Sequence, residues 1–146
     1  MFVRCCHCTW CQRETGSAFA INALIEAHHV SVTKGAPKQV TLPSASGQGQ
    51  VFTRCTDCGV TLWSNYAAAK DKVHFLRVGT LDDPTQMPPD IHIFTSSKQP
   101  WVVLPDDVPA GGRWIVAGRG IGSTRGTRTW KSTSRSSASE ESTTKV

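Results

Sequence analysis

No apolar run in this chain approaches the ~20 residues that a membrane-spanning helix requires, so the sequence offers no such span. The opening residues Met1-Phe2-Val3-Arg4-Cys5 hold no apolar stretch of signal-peptide length. Nothing argues for secretion, and the expectation is the cytoplasm or the nucleus, where thiols stay reduced. Cysteine is too sparse for a disulfide scaffold: six in 146 residues is about 4%, below the range of small cross-linked domains. Adjacent Cys5 and Cys6 also suit few bridge geometries, and no cysteine lies beyond Cys58. Helix-forming sequence is scarce as well. Only Asn65–Lys72, with Ala67-Ala68-Ala69, looks able to hold a helical turn or two. There is no internal repeat.

Charge of one sign is missing from most of the chain. The formal net charge is +5, but residues 110–146 carry seven basic side chains against Glu140 and Glu141, which accounts for the whole excess. Residues 1–109 are neutral, with nine basic and nine acidic residues. The basic pI is therefore a property of the tail and says nothing about a nucleic-acid face on the domain.

What remains is strand-like. Phe19–Ile25, Val30–Thr33, Gln39–Leu42, Val51–Arg54, Val60–Ser64, Val73–Gly79, Ile91–Phe94 and Val102–Leu104 are rich in Val, Ile, Phe and Thr. Gly, Pro and Asp occupy the gaps between them, as in Lys34-Gly35-Ala36-Pro37 and Asp82-Asp83-Pro84. Many short strands at close spacing predict a mostly-β domain of antiparallel strands over 1–109, an all-β sandwich or barrel rather than a parallel sheet. After Pro109 the composition shifts to Gly, Ser, Thr and Arg. Such sequence buries too little apolar area to offset its ordering entropy, and 110–146 reads as a disordered basic tail. Trp114-Ile115-Val116 is the one part of it suited to packing back locally.

Five cysteines fall in two tight clusters, Cys6-His7-Cys8-Thr9-Trp10-Cys11 and Cys55-Thr56-Asp57-Cys58-Gly59. Zinc takes about four soft ligands in a tetrahedron, and a two-residue spacer lets one turn aim two thiolates at one ion. The glycine after Cys58 permits the backbone such a knuckle needs. Spacing alone pairs Cys8-x2-Cys11 with Cys55-x2-Cys58 in one closed structural site. That leaves Cys5 and Cys6 unused, and Cys6, Cys8 and Cys11 can by themselves hold a zinc whose fourth position stays open. An open position separates a catalytic zinc from a structural one. Both partitions stand on spacing.

The run from Cys6-His7-Cys8-Thr9-Trp10-Cys11 through Gln12-Arg13-Glu14-Thr15-Gly16-Ser17-Ala18-Phe19 resembles the signature of the glutathione-dependent formaldehyde-activating, or centromere-protein-V-like, family. Cys55-Thr56-Asp57-Cys58-Gly59, Gly79-Thr80-Leu81-Asp82-Asp83-Pro84, Pro89-Asp90-Ile91-His92-Ile93-Phe94 and Lys98-Gln99-Pro100-Trp101 follow in the family's order. The resemblance covers the domain and none of the tail. It implies an Mss4-like, mostly-β zinc fold. It assigns Cys6, Cys8 and Cys11 to a catalytic zinc, and Cys55 and Cys58 to a structural zinc shared with an earlier Cys-x-Cys-Gly pair. Only four residues precede Cys5 here, so on this comparison the domain lacks its N-terminal knuckle. Cys55 and Cys58 are then left to Cys5, a cluster cysteine, a histidine or water, and one or two zinc ions are expected.

The implied activity is that of a carbon–sulfur lyase: formation of S-hydroxymethylglutathione from glutathione and formaldehyde, or work on a related thiol adduct. Glutathione is the implied small-molecule partner. Arg13 is a candidate for its carboxylate, or else for an ion pair with Glu14. A second reading makes the chain a non-catalytic zinc module whose basic tail binds nucleic acid or an acidic partner through salt-dependent contacts. A methionine-sulfoxide-reductase-like reading needs a late reactive cysteine, which the chain lacks. Of the remaining residues, His7 is expected to point away from the metal and His92 to be a hydrogen-bonded wall residue. His28, His29 and His74 are expected to be solvent-facing, and Trp10, Trp63 and Trp101 to belong to the core.

Overall fold

The structure is a computed structural model that describes residues 1–44, 47–112 and 144–145. Most of the tail read as disordered, including Trp114-Ile115-Val116, lies outside the described residues. The mostly-β expectation is met. In chain order the elements are β1 (Phe2–Cys6), α1 (Thr9–Thr15), β2 (Ala20–Glu26), β3 (Val30–Ser31), β4 (Lys38–Leu42), β5 (Gln50–Arg54), β6 (Thr61–Tyr66), β7 (Val73–Arg77), β8 (Ile91–Ile93), β9 (Ala110–Gly111) and β10 (Thr144–Lys145). Eight strands form one sheet in the order β4-β5-β6-β7-β2-β1-β8-β9, and β10 pairs with β3 separately. The β4-to-β1 part is antiparallel, whereas β8 runs parallel to β1 and to β9, so the expected antiparallel sandwich or barrel is corrected to one mixed sheet, because β8 is reached by the long 78–90 connection rather than by a hairpin. No helix among the described residues is long and apolar enough to cross a membrane.

Phe2–Cys6, outside the strands read from the sequence, is a strand next to the sheet centre, paired with β2 and β8. Three sequence expectations are corrected. Asn65–Lys72 is not helical: β6 ends at Tyr66 and the alanines turn through a positive φ at Lys70, with Asn65 Nδ2 donating to the carbonyls of Lys70 and Val73. Val102–Leu104, between two prolines, joins no strand; Val103 is 90% and Trp101 72% exposed, so Trp101 is not core. The last strand of the sheet, β9, ends at Gly111.

The single α-helix among the described residues, α1, starts at the cap residue Cys8 and stops at Gly16, whose φ of 63° is the left-handed conformation glycine adopts without strain. It packs across the sheet face that carries Asn22, Arg54, Thr61 and Arg77. Two apolar clusters hold the domain. Val3, Ala23, Ile25, Trp63, Leu76 and Val78 form one; Cys6, Cys11, Ala20, Ile91 and Ile93 form the other, with Phe2, Cys8 and Phe94 against it. The second cluster puts the first cysteine group inside the packed body of the protein.

Candidate metal centre

Cys6 is the last residue of β1, Cys8 caps α1, and Cys11 lies in its first turn. Strand, turn and helix thus aim three thiols at one point, and their Sγ atoms all lie within 4.8 Å of one another. Cys6 and Cys11 are buried and Cys8 is half-buried. Cys8 Sγ accepts the Cys11 backbone N–H at 3.3 Å. Hydrogen bonds from the Cys11 and Cys6 thiols, and from the backbone N–H groups of Cys11 and Trp10, pull the Cys8 thiol down to about 2. The Cys6 thiol, eased down by Cys11, is raised more by its bond to Cys8 and by burial, to about 11. Cys11 is raised by its bonds to Cys6 and Cys8 and by burial. Three soft sulfur donors that converge on one point, two of them buried, are the donor set a soft divalent cation takes as thiolates, so the group fits zinc.

The turn carrying these cysteines is held from outside. Gln12 Nε2 donates to the His7 carbonyl at 2.7 Å and to the Ser97 carbonyl at 2.8 Å. Ser97 Oγ donates to the same His7 carbonyl at 3.0 Å, and Gln99 Nε2 to Gln12 Oε1 at 2.7 Å. The segment 97–99, though remote in sequence, therefore fixes the turn.

His7 does not join the three cysteines. Its side chain is fully buried and meets Cys5 and His92, forming a second group of metal-capable atoms within 4.8 Å of one another. His7 Nε2 lies 2.9 Å from His92 Nδ1 and 3.6 Å from Cys5 Sγ. Burial lowers both imidazoles from the ordinary histidine value and pushes the Cys5 thiol up to about 12. His92 is thus a hydrogen-bonded wall residue, as its sequence position implied. His28 and His29 are exposed, but His74 is half-buried, stacked on the core ring of Trp63 and bonded to Asn65, which corrects its expected solvent exposure.

Cys55 and Cys58 form a turn after β5. Gly59 N donates to the Cys55 carbonyl at 3.0 Å, and Gly59 has a φ of 74°. Backbone N–H groups of Cys58 and Asp57 lower the Cys55 thiol. Cys58 is exposed, and neither residue belongs to a group of three potential ligands among the described residues. The merged site suggested by spacing is therefore not assembled. All six cysteines are free.

Sequence reasoning offered Glu14 only as a partner for Arg13 and missed its role as a buried anchor. Its side chain is only 5% exposed and pairs with Arg77, with Arg54 at 3.5 Å, and with Thr61 Oγ1 at 2.8 Å. Arg77 also donates to Asn22 Oδ1. This network ties α1 to β2, β5, β6 and β7, so it sets where Cys11 sits. Arg13, one residue earlier, is exposed on α1 and is not Glu14's partner.

The family model described as glutathione-dependent formaldehyde-activating enzyme matches residues 1–97, about two thirds of the chain. No curated protein matches it.

Proposed function

Because the chain belongs to the glutathione-dependent formaldehyde-activating enzyme family, we propose that it is a zinc-dependent carbon–sulfur lyase-type enzyme that joins glutathione and formaldehyde as S-hydroxymethylglutathione, or cleaves that adduct. The observation that carries this reading is the three-thiol group of Cys6, Cys8 and Cys11 within 4.8 Å, inside the segment that matches the family. Cys6, Cys8 and Cys11 would hold the zinc, which when bound would keep a substrate thiol deprotonated at neutral pH. The protein's own part is to hold three thiolates on a rigid strand–helix junction, braced by Gln12, Ser97 and Glu14. Arg13, exposed two residues past Cys11, is the guanidinium we assign to a glutathione carboxylate. Cys55 and Cys58 offer two thiolates, which make a second zinc site only with ligands from elsewhere. The reading places the protein in the reducing cytoplasm, in keeping with its free thiols.

Three thiolates more than cancel the charge of a divalent ion, so polarisation of the formaldehyde carbonyl falls to hydrogen-bond donors nearby. The test is adduct formation from formaldehyde and glutathione by the zinc-loaded protein. A rate above the spontaneous one, lost in Cys8→Ser, supports the reading; a rate equal to the spontaneous one removes it.

A further inference from the structure

Beside Cys11, between α1 and the face formed by β2, β5, β6 and β7, lies a small part-open cavity with room for about one water-sized molecule. Trp10, Asn22, Gln50, Tyr66 and Arg77 line it together with Cys11. Three of these residues carry a buried polar atom without a partner: the indole Nε1–H of Trp10, the Nε–H of Arg77 and the amide Oε1 of Gln50. Buried polar groups are nearly always satisfied, and an unsatisfied one calls for a water or a ligand. Here the three belong to residues that line one cavity.

Their neighbours explain why these atoms are left over. The two terminal nitrogens of Arg77 are taken by Asn22 and Glu14, which fixes the guanidinium and leaves Nε–H. Gln50 spends its Nε2 on Ser64 Oγ at 2.8 Å, which leaves the carbonyl end. The result is two N–H donors and one acceptor, all held before any ligand arrives, next to a cysteine of the proposed zinc site. The space is far too small for a tripeptide and suits one or two heavy atoms.

We propose that this cavity is the subsite for the one-carbon carbonyl, with Trp10 and Arg77 donating to its oxygen and Gln50 accepting from the hydroxyl that forms on it. The inference rests on the function proposed above. In the forward step the thiolate sulfur of glutathione bonds to the carbonyl carbon and the π pair moves onto the oxygen. That oxygen takes up the proton the thiol gave up, and the reverse step returns it. The two donors meet the oxygen where negative charge develops, which is where a fixed donor accelerates addition most. The walls leave no room for the chain of a larger aldehyde.

The test uses the full-length zinc-loaded protein. Methanol serves as an unreactive one-carbon probe, and the indole ¹H–¹⁵N resonance of Trp10, assigned by its loss in Trp10→Phe, reports on the cavity. A saturable shift with methanol and none with 2-propanol is expected. No shift with methanol, or equal shifts with both, overturns the subsite, because a resident water alone then satisfies the three atoms. In the reaction, Trp10→Phe is expected to lower kcat for formaldehyde addition by about 100-fold with zinc content and melting temperature retained. An unchanged kcat also overturns it. A wild-type protein that forms no adduct while its Trp10 resonance answers methanol removes the proposed reaction and keeps the subsite. Adduct formation with a silent Trp10 does the reverse.

Discussion

The imidazole Nε2 of His7 lies 2.9 Å from Nδ1 of His92, which joins the turn bearing the cysteine group to strand β8. Both rings are buried, and burial keeps them neutral, so one donates and the other accepts. Replacing His92 by Ala leaves His7 without this partner, and a loss of about 1–3 kcal/mol in urea unfolding is expected. The double variant His7→Ala/His92→Ala should lose less than the two single losses combined. Strict additivity would show that the rings do not interact.

Glu14 stands between two arginines of different exposure, which separates their worth. Glu14→Ala leaves Arg77 as an unpaired buried charge, and about 3–5 kcal/mol of stability should be lost. Arg54 has 31% of its side chain exposed, and Arg54→Ala should cost no more than about 1 kcal/mol. Chemical denaturation of the two variants distinguishes them. Equal losses would mean that Glu14 is not the anchor of α1.

Burial lowers His74 and His92 from the ordinary histidine value, with Asp71 opposing the shift at His74. A base lowered in the folded state is protonated more readily in the unfolded chain. The stability it contributes is complete above about pH 6.5 and is lost as the pH falls from there towards the lowered folded value. The melting temperature at saturating zinc should therefore fall between about pH 7 and pH 5. His74→Gln should make that fall shallower, whereas a slope identical to wild type would contradict the assignment.

Cys55 and Cys58 join no third potential ligand among the described residues. The double variant Cys55→Ser/Cys58→Ser should keep its chelator-resistant zinc, as measured by native mass spectrometry. Loss of that zinc would restore the single shared site that spacing suggested.

The sheet was legible because its strands are β-branched and aromatic runs broken by Gly, Pro and Asp. Val73–Arg77 and Gln50–Arg54 are examples, each within two residues of its sequence-read bounds. Helix α1 was not legible. It has seven residues, its N-cap is a cysteine, and its sequence was read as ligand spacing rather than as structure. The cysteine group itself was legible because strand end, cap and first turn lie within six residues, so local geometry decides it. Glu14, His7 and the Trp10–Gln50–Arg77 cavity depend on partners 40 to 85 residues away, and no local pattern announces them. Trp101 misled because an aromatic residue is usually covered; here two flanking prolines and the exposed Val103 belong to a surface segment instead.

The central claim is that Cys6, Cys8 and Cys11 together hold the metal, and zinc stoichiometry of the reduced full-length chain tests it most directly. Native mass spectrometry of wild type and of Cys6→Ser/Cys8→Ser/Cys11→Ser should show a zinc ion retained against mild chelation in the first and absent from the second. A triple variant that carries as much zinc as wild type would contradict the account.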